Sequence, residues 1–114
     1  MEKIKLSNGV IFEITPMGIT SLDVQKRRSF NFASELSYDE IETEFKNPDN
    51  IASIQYLSEA DEVLKTYADC VSLKILSKNI DTGVYTAECS TDAVELQIRQ
   101  MQAQIAALTA AQQP

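Results

Sequence analysis

The sequence predicts an α+β protein: an antiparallel β-sheet meander with one short helix and a long C-terminal oligomerisation helix. Three observations carry this. Short runs of alternating apolar and polar residues are punctuated by Asn8-Gly9, Pro16-Met17-Gly18 and Asp81-Thr82-Gly83, the pattern of strands joined by tight turns. Ser37-Tyr38-Asp39-Glu40 is a capping box, which opens a helix. From Asp92 to Ala111 no Gly or Pro interrupts the chain, and Val94, Ile98, Met101, Ile105 and Leu108 fall at spacings of 4, 3, 4 and 3. Residues 1–90 are therefore expected to form a β-rich core domain with its short helix near 38–46, and residues 91–114 the C-terminal helix.

Within the core domain, Ile4 and Leu6 form one arm of a first hairpin and Val10 to Ile14 the other. Asn8-Gly9 supplies the positive φ of the turn. Pro16-Met17-Gly18 reads as the next turn. A second pair follows, with Leu22 and Val24 on one arm, Phe30 and Phe32 on the other, and Gln25-Lys26-Arg27-Arg28 at a strand end or hairpin tip. The capped helix places Ile41 and Phe45 on one face and stops at Asn47-Pro48. After a Pro48-Asp49-Asn50 turn, Ile51 to Leu57 reads as a strand. Ser58 to Glu62 turns it into Val63 to Tyr67. Val71-Ser72-Leu73-Lys74-Ile75 alternates most clearly, as expected of a strand with one buried face. Asp81-Thr82-Gly83 leads into Val84 to Cys89. Asp92 and Glu95 make a second capping pattern ahead of the terminal helix, whose small, polar end from Thr109 to Pro114 is expected to fray.

On that helix Ile98 and Ile105 occupy heptad positions a, and Val94, Met101 and Leu108 positions d. Two heptads do not hold alone in water. The seam therefore joins subunits whose globular parts also touch, or packs back on its own domain.

Composition narrows the function. The formal net charge of −7 disfavours nucleic-acid polymers and anionic membranes as partners. No run of apolar residues approaches a membrane span, and the N-terminus is not a signal peptide, so a cytoplasmic protein is expected. The absence of histidine removes Ser-His and Cys-His nucleophiles and the commonest zinc ligand. No enzyme, cofactor or metal signature is present. Cys70 and Cys89 meet only if their strands pair closely, and two free, half-buried thiols are the expectation for a reducing compartment. The carboxylates Asp39, Glu40, Glu42 and Glu44 spread around a solvated helix face.

Three arginines are the candidates for an anion site: Arg27, Arg28 and Arg99. Alternation puts Arg28 on one strand face with Phe30 and Phe32, an arrangement that can clamp a nucleotide by charge and stacking. The alternative is two core phenylalanines beside a basic sheet edge. Arg99 stands at heptad position b among Gln and Ala, facing a partner subunit, an anionic ligand or solvent. Tyr56, Tyr67 and Tyr85 are further stacking surfaces or half-buried packing.

In layout the chain resembles small proteins encoded by phages and prophages of Gram-positive bacteria. The resemblance rests on Ile4-Lys5-Leu6-Ser7-Asn8-Gly9, on Ser37-Tyr38-Asp39-Glu40-Ile41 through Asn47-Pro48-Asp49-Asn50, and on the coil from Leu96 to Leu108. One group with a similar layout is the Thoeris anti-defence proteins, oligomers that sequester cyclic ADP-ribose-type signals without cleaving them. That resemblance implies a homo-oligomer binding a small anionic nucleotide through Arg99; from the residues themselves, Arg28 is the expected second anion contact and Tyr85 and Phe30 the expected stacking surfaces. Of the helix arginines that group uses, only Arg99 has a counterpart here, since Ala103 stands one turn further on. The other group is virion accessory proteins (tail, baseplate or head-fibre components), in which a short coil trimerises or attaches a β-domain. The expected function is therefore sequestration of a nucleotide-derived host immune signal by a non-enzymatic oligomer in the infected cytoplasm, with a structural part of the virion as the alternative.

Overall fold

In a computed structural model describing residues 1–112, with side chains to Thr109, the chain forms seven strands and three helices. In order they are β1 (Lys3–Lys5), β2 (Ile11–Leu22), β3 (Arg27–Ala33), α1 (Tyr38–Lys46), α2 (Pro48–Ile51), β4 (Ile54–Leu57), β5 (Val63–Tyr67), β6 (Ser72–Lys78), β7 (Tyr85–Ser90) and α3 (Ala93–Gln112). The α+β class holds, with every strand pair antiparallel. The strand order β5-β4-β1-β2-β3-β7-β6 departs from a simple meander. Local hairpins are stitched together by the distant pairs β1–β4 and β3–β7.

That order forces curvature. Six inter-strand spacings laid flat would separate the edge strands by about 29 Å. Yet β5 and β6, the two edges, are joined by only residues 68–71, which span at most roughly 18 Å. The sheet therefore curls until its edges approach, and α1 packs against β6 with Tyr38 Oη donating to the Leu76 carbonyl at 2.6 Å. Ile41 and Phe45 of α1 fill the concave side. Phe45 stacks on Phe32 at 5.5 Å and lies 5.4 Å from Phe12, while Phe32 touches Phe12 at 4.7 Å and Tyr85 at 5.9 Å. Burial of each such ring contributes about 1.5–3 kcal/mol, so this aromatic cluster is a large part of the body's stability.

Turns and caps follow their local chemistry. Gly9 takes φ 91°, and Asn8 both accepts from Val10 N and donates to Glu44 of α1 at 2.7 Å. Ser37 caps α1 by accepting from Glu40 N at 3.2 Å.

Several expectations need correction. Two short helices replace one: Asn47 ends α1 but also caps α2, with Pro48 at its first position, so Ile51 is helical and β4 begins only at Ile54. Pro16-Met17-Gly18 is not a turn but a bulge inside β2. Between Ile14↔Phe32 and Ile19↔Phe30, β2 advances five residues while β3 advances two. The three extra residues flip the strand's parity and turn both Ile14 and Ile19 toward the core. Gly18 is required there, because a Cβ would come within 2.7 Å of the Asn31 and Thr15 carbonyl oxygens. Val24 lies in the following turn, 93% exposed, rather than on a strand arm. Strand β6 carries a one-residue bulge between Leu73↔Cys89 and Ile75↔Glu88, so Leu73 and Leu76 pack inward and Ile75 is exposed. Cys70 and Cys89 are free thiols, as expected, but fully rather than half buried. The helix α3 spans Ala93–Gln112, and residues 113–114 of the stretch expected to fray lie outside the described residues.

Candidate functional site

The chain's least ordinary chemistry gathers where α3 leaves the body. Strand β7 ends at Ser90, and Thr91 N donates to the Lys26 carbonyl, turning the chain away from the sheet. Asp92 caps α3 by accepting from Val94 N at 2.9 Å. Glu95 does not complete the expected capping box. Its carboxylate reaches back to the body, accepting from Ser90 Oγ at 2.6 Å, Ser72 Oγ at 2.9 Å and Lys74 Nζ at 3.0 Å. The hydrogen bonds from Ser90, Lys74 and Ser72 pull its pKa down to about 2.

One turn on, Arg99 donates to the Val71 carbonyl at 2.9 Å and lies 3.5 Å from Asp49 Oδ1. Its guanidinium reaches toward its own body while the side chain stays partly exposed. With Leu96, Gln100 and Ala103 it overhangs a recess of about 280 Å³ whose floor includes Ala52, Ala68 and Cys70. Glu95 and Arg99 thus clasp the root of α3 to the sheet.

The seam lies on the other side. Val94, Ile98, Met101, Ile105 and Leu108 are 59, 51, 55, 62 and 63% exposed, although each is apolar. The residues over the recess (Leu96, Arg99, Gln100 and Ala103) occupy heptad positions f, b, c and f, opposite the a/d stripe. The seam therefore does not pack back on its own domain.

The four residues expected to bind a ligand do not converge. Phe30 is wholly buried and Tyr85 is 2% exposed, so neither offers a face for stacking. Phe30 sits edge-on to Tyr67 at 6.2 Å, and Tyr85 is stacked on Phe32. Arg28 is pinned under the sheet edge, paired with Asp69 and lying 4.3 Å over the Tyr67 ring. Its buried Nε has no hydrogen-bond partner among the described residues. Arg99 alone borders open space.

No protein-family model, curated protein or solved structure matches this chain. Among the described residues, no helix is long and apolar enough to cross a membrane, and no group of three or more His, Cys, Asp or Glu side chains could hold a metal ion.

Sequence reasoning missed Glu95 as a tether and Cys89 opposite Arg28 in the ladder. Glu95 matched a capping pattern equally well, and nothing in the spacing of Cys89 and Arg28 shows that β3 and β7 pair them.

Proposed function

We propose that this protein is a non-enzymatic, self-associating structural subunit of the phage accessory type, in which the α3 helices of several copies coil together and carry the β-domains. The observation that carries the reading is the outward seam: five large apolar side chains at a/d spacing, each more than half exposed, on the face turned away from the body. The occupant that fits is a second copy, because a two-heptad stripe of this kind is complementary to itself and the flanking Gln97, Gln102 and Gln104 add no repelling charge. The clasp by Glu95 and Arg99 supports the same reading, since it holds the seam at a fixed angle to the body. Such a subunit belongs in the virion, as a tail, baseplate or head-fibre accessory. Sedimentation velocity tests the assembly: the wild-type chain is expected to sediment as an oligomer and the Ile98→Asp/Ile105→Asp variant as a monomer with its β-sheet intact. A monomeric wild type would sink the proposal, and the protein's absence from purified particles would sink the virion assignment.

Sequestration of a nucleotide-derived signal in the infected cytoplasm is the second reading, favoured by one observation: Arg99 and Gln100 border the recess beneath α3. Native mass spectrometry with cyclic nucleotides and cyclic ADP-ribose isomers tests it. Stoichiometric ligand mass lost in Arg99→Ala would support it, and no bound mass would reject it.

A further inference from the structure

The root of α3 roofs a recess whose lining joins one positive charge to several small apolar groups. Its volume is about 280 Å³. The floor is made by Ala52, just after α2, and Ala68, just after β5, with the buried Cys70 beside them. Leu96 and Ala103 come from the helix above, together with Arg99 and Gln100. Alanine on both floor and roof leaves the space open, where larger side chains would close one onto the other. The clasp fixes the spacing: Glu95 holds the first turn of α3 to Ser72, Lys74 and Ser90, and Arg99 holds the next to the Val71 carbonyl.

Arg99 is the one cation among the lining residues. Among the described residues its guanidinium makes a single hydrogen bond, to the Val71 carbonyl at 2.9 Å, which fixes its orientation and leaves most of its fork of donors unused. The Asp49 carboxylate lies 3.5 Å away but is 92% exposed, so water screens it strongly. The other acidic groups nearby are already taken: Asp69, between Ala68 and Cys70, pairs with Arg28, and Glu95 pairs with Lys74. One guanidinium with one solvated carboxylate beside it suits a single added negative charge. A dianion would meet Asp49 with no second cation to offset it.

We infer that the recess is a binding site for a small monocarboxylate with a compact apolar body, an aromatic or branched aliphatic acid. The carboxylate takes the unused donors of Arg99, with the Gln100 amide beside it, and the apolar body rests on Ala52 and Ala68 beneath Leu96 and Ala103. Size sets the limit. A closed apolar cavity of roughly 150 Å³ holds benzene, so a recess of about 280 Å³ suits one ring and its carboxylate. The occupant touches helix and floor together, and so adds a further tie to the clasp. The site lies on the face of α3 opposite the apolar seam and is independent of the assembly.

Ligand-observed NMR titration of the full chain with benzoate, benzyl alcohol and inorganic phosphate tests the inference. Benzoate is expected to saturate one site per chain, with half-occupancy below about 10 mM. Benzyl alcohol keeps the ring and loses the charge, and should bind about tenfold more weakly. Arg99→Gln should bring benzoate down to the level of the alcohol. Ala103→Phe fills the recess from an exposed position on the roof and Ala52→Leu from an exposed position on the floor. Each should abolish binding of both compounds with the circular dichroism unchanged. The Ile98→Asp/Ile105→Asp variant should bind benzoate as the wild type does, whatever its oligomeric state. Failure of benzoate to saturate, equal affinity for the alcohol, or full binding in both filled variants would overturn the inference. Displacement of benzoate by phosphate or by cyclic ADP-ribose would overturn the monocarboxylate assignment, the latter in favour of a nucleotide.

Discussion

The body and the terminal helix use the same kinds of side chain to opposite ends. In the body, Ile4, Leu6, Ile14, Ile41, Ile51 and Ile54 are all nearly or wholly inaccessible, packed around four phenylalanines. In α3, Val94, Ile98, Met101, Ile105 and Leu108 are all more than half exposed. The body buries its apolar surface against itself and holds a fold by its own contacts. The helix satisfies only its root, through Glu95 and Arg99, and leaves its apolar stripe for something else to cover. Stability and association are thus housed in separate parts of one short chain, and each part can be broken without the other.

The largest effect should come from the aromatic cluster. Phe32→Ala removes a wholly buried ring in contact with Phe12, Phe45 and Tyr85, and is expected to cost about 3–5 kcal/mol in urea unfolding, enough to leave little folded protein. Cutting the chain after Thr91 sharpens the contrast. The body should retain its β-sheet circular dichroism and lose only about 1–2 kcal/mol with the root contacts, whereas a peptide of residues 92–112 alone should be mostly unfolded in water. Ser37→Ala should lower stability by about 1 kcal/mol through loss of the α1 cap, with no change in assembly. The smallest effect concerns the tether. Glu95 has its pKa lowered from 4.5 to about 2, so its contribution is present above about pH 4.5 and disappears as the pH falls toward 2. Because its side chain is 36% exposed, solvent screening limits this to about 1 kcal/mol. Glu95→Gln should flatten that part of the pH–stability curve, and an unchanged curve would show that the tether adds nothing to the fold.

What could be read from the chain was what local chemistry alone determines. The Asn8-Gly9 hairpin, the Ser37 cap, the span of α1, the Asp81-Thr82-Gly83 turn and the start of α3 each depend on a few adjacent residues, and each is present. Long-range events escaped. Pro-Met-Gly has the same composition in a bulge as in a turn, and only pairing with β3 distinguishes them. Val71 to Ile75 alternates perfectly in sequence, but the bulge in β6 changes the phase halfway along. The candidate site was the least legible. Phe30 and Arg28 do share a face, as alternation required, yet that face is the inside of a curled sheet. Curvature follows from strand order, and no local pattern encodes strand order.

The bulges in β2 and β6 have a consequence for how such a chain can change length. Each inserts an odd number of residues into one strand, three in β2 and one in β6, and each thereby sets which half of its strand looks inward. Length variation there is governed by parity. Lengthening the Met17 protrusion by two residues leaves Ile14 and Ile19 on the same side, while adding or removing one turns half of β2 inside out. Related chains should therefore differ at this protrusion by even numbers of residues. The same rule makes it a place to graft a short peptide, provided Gly18 is left where the Asn31 carbonyl crowds it.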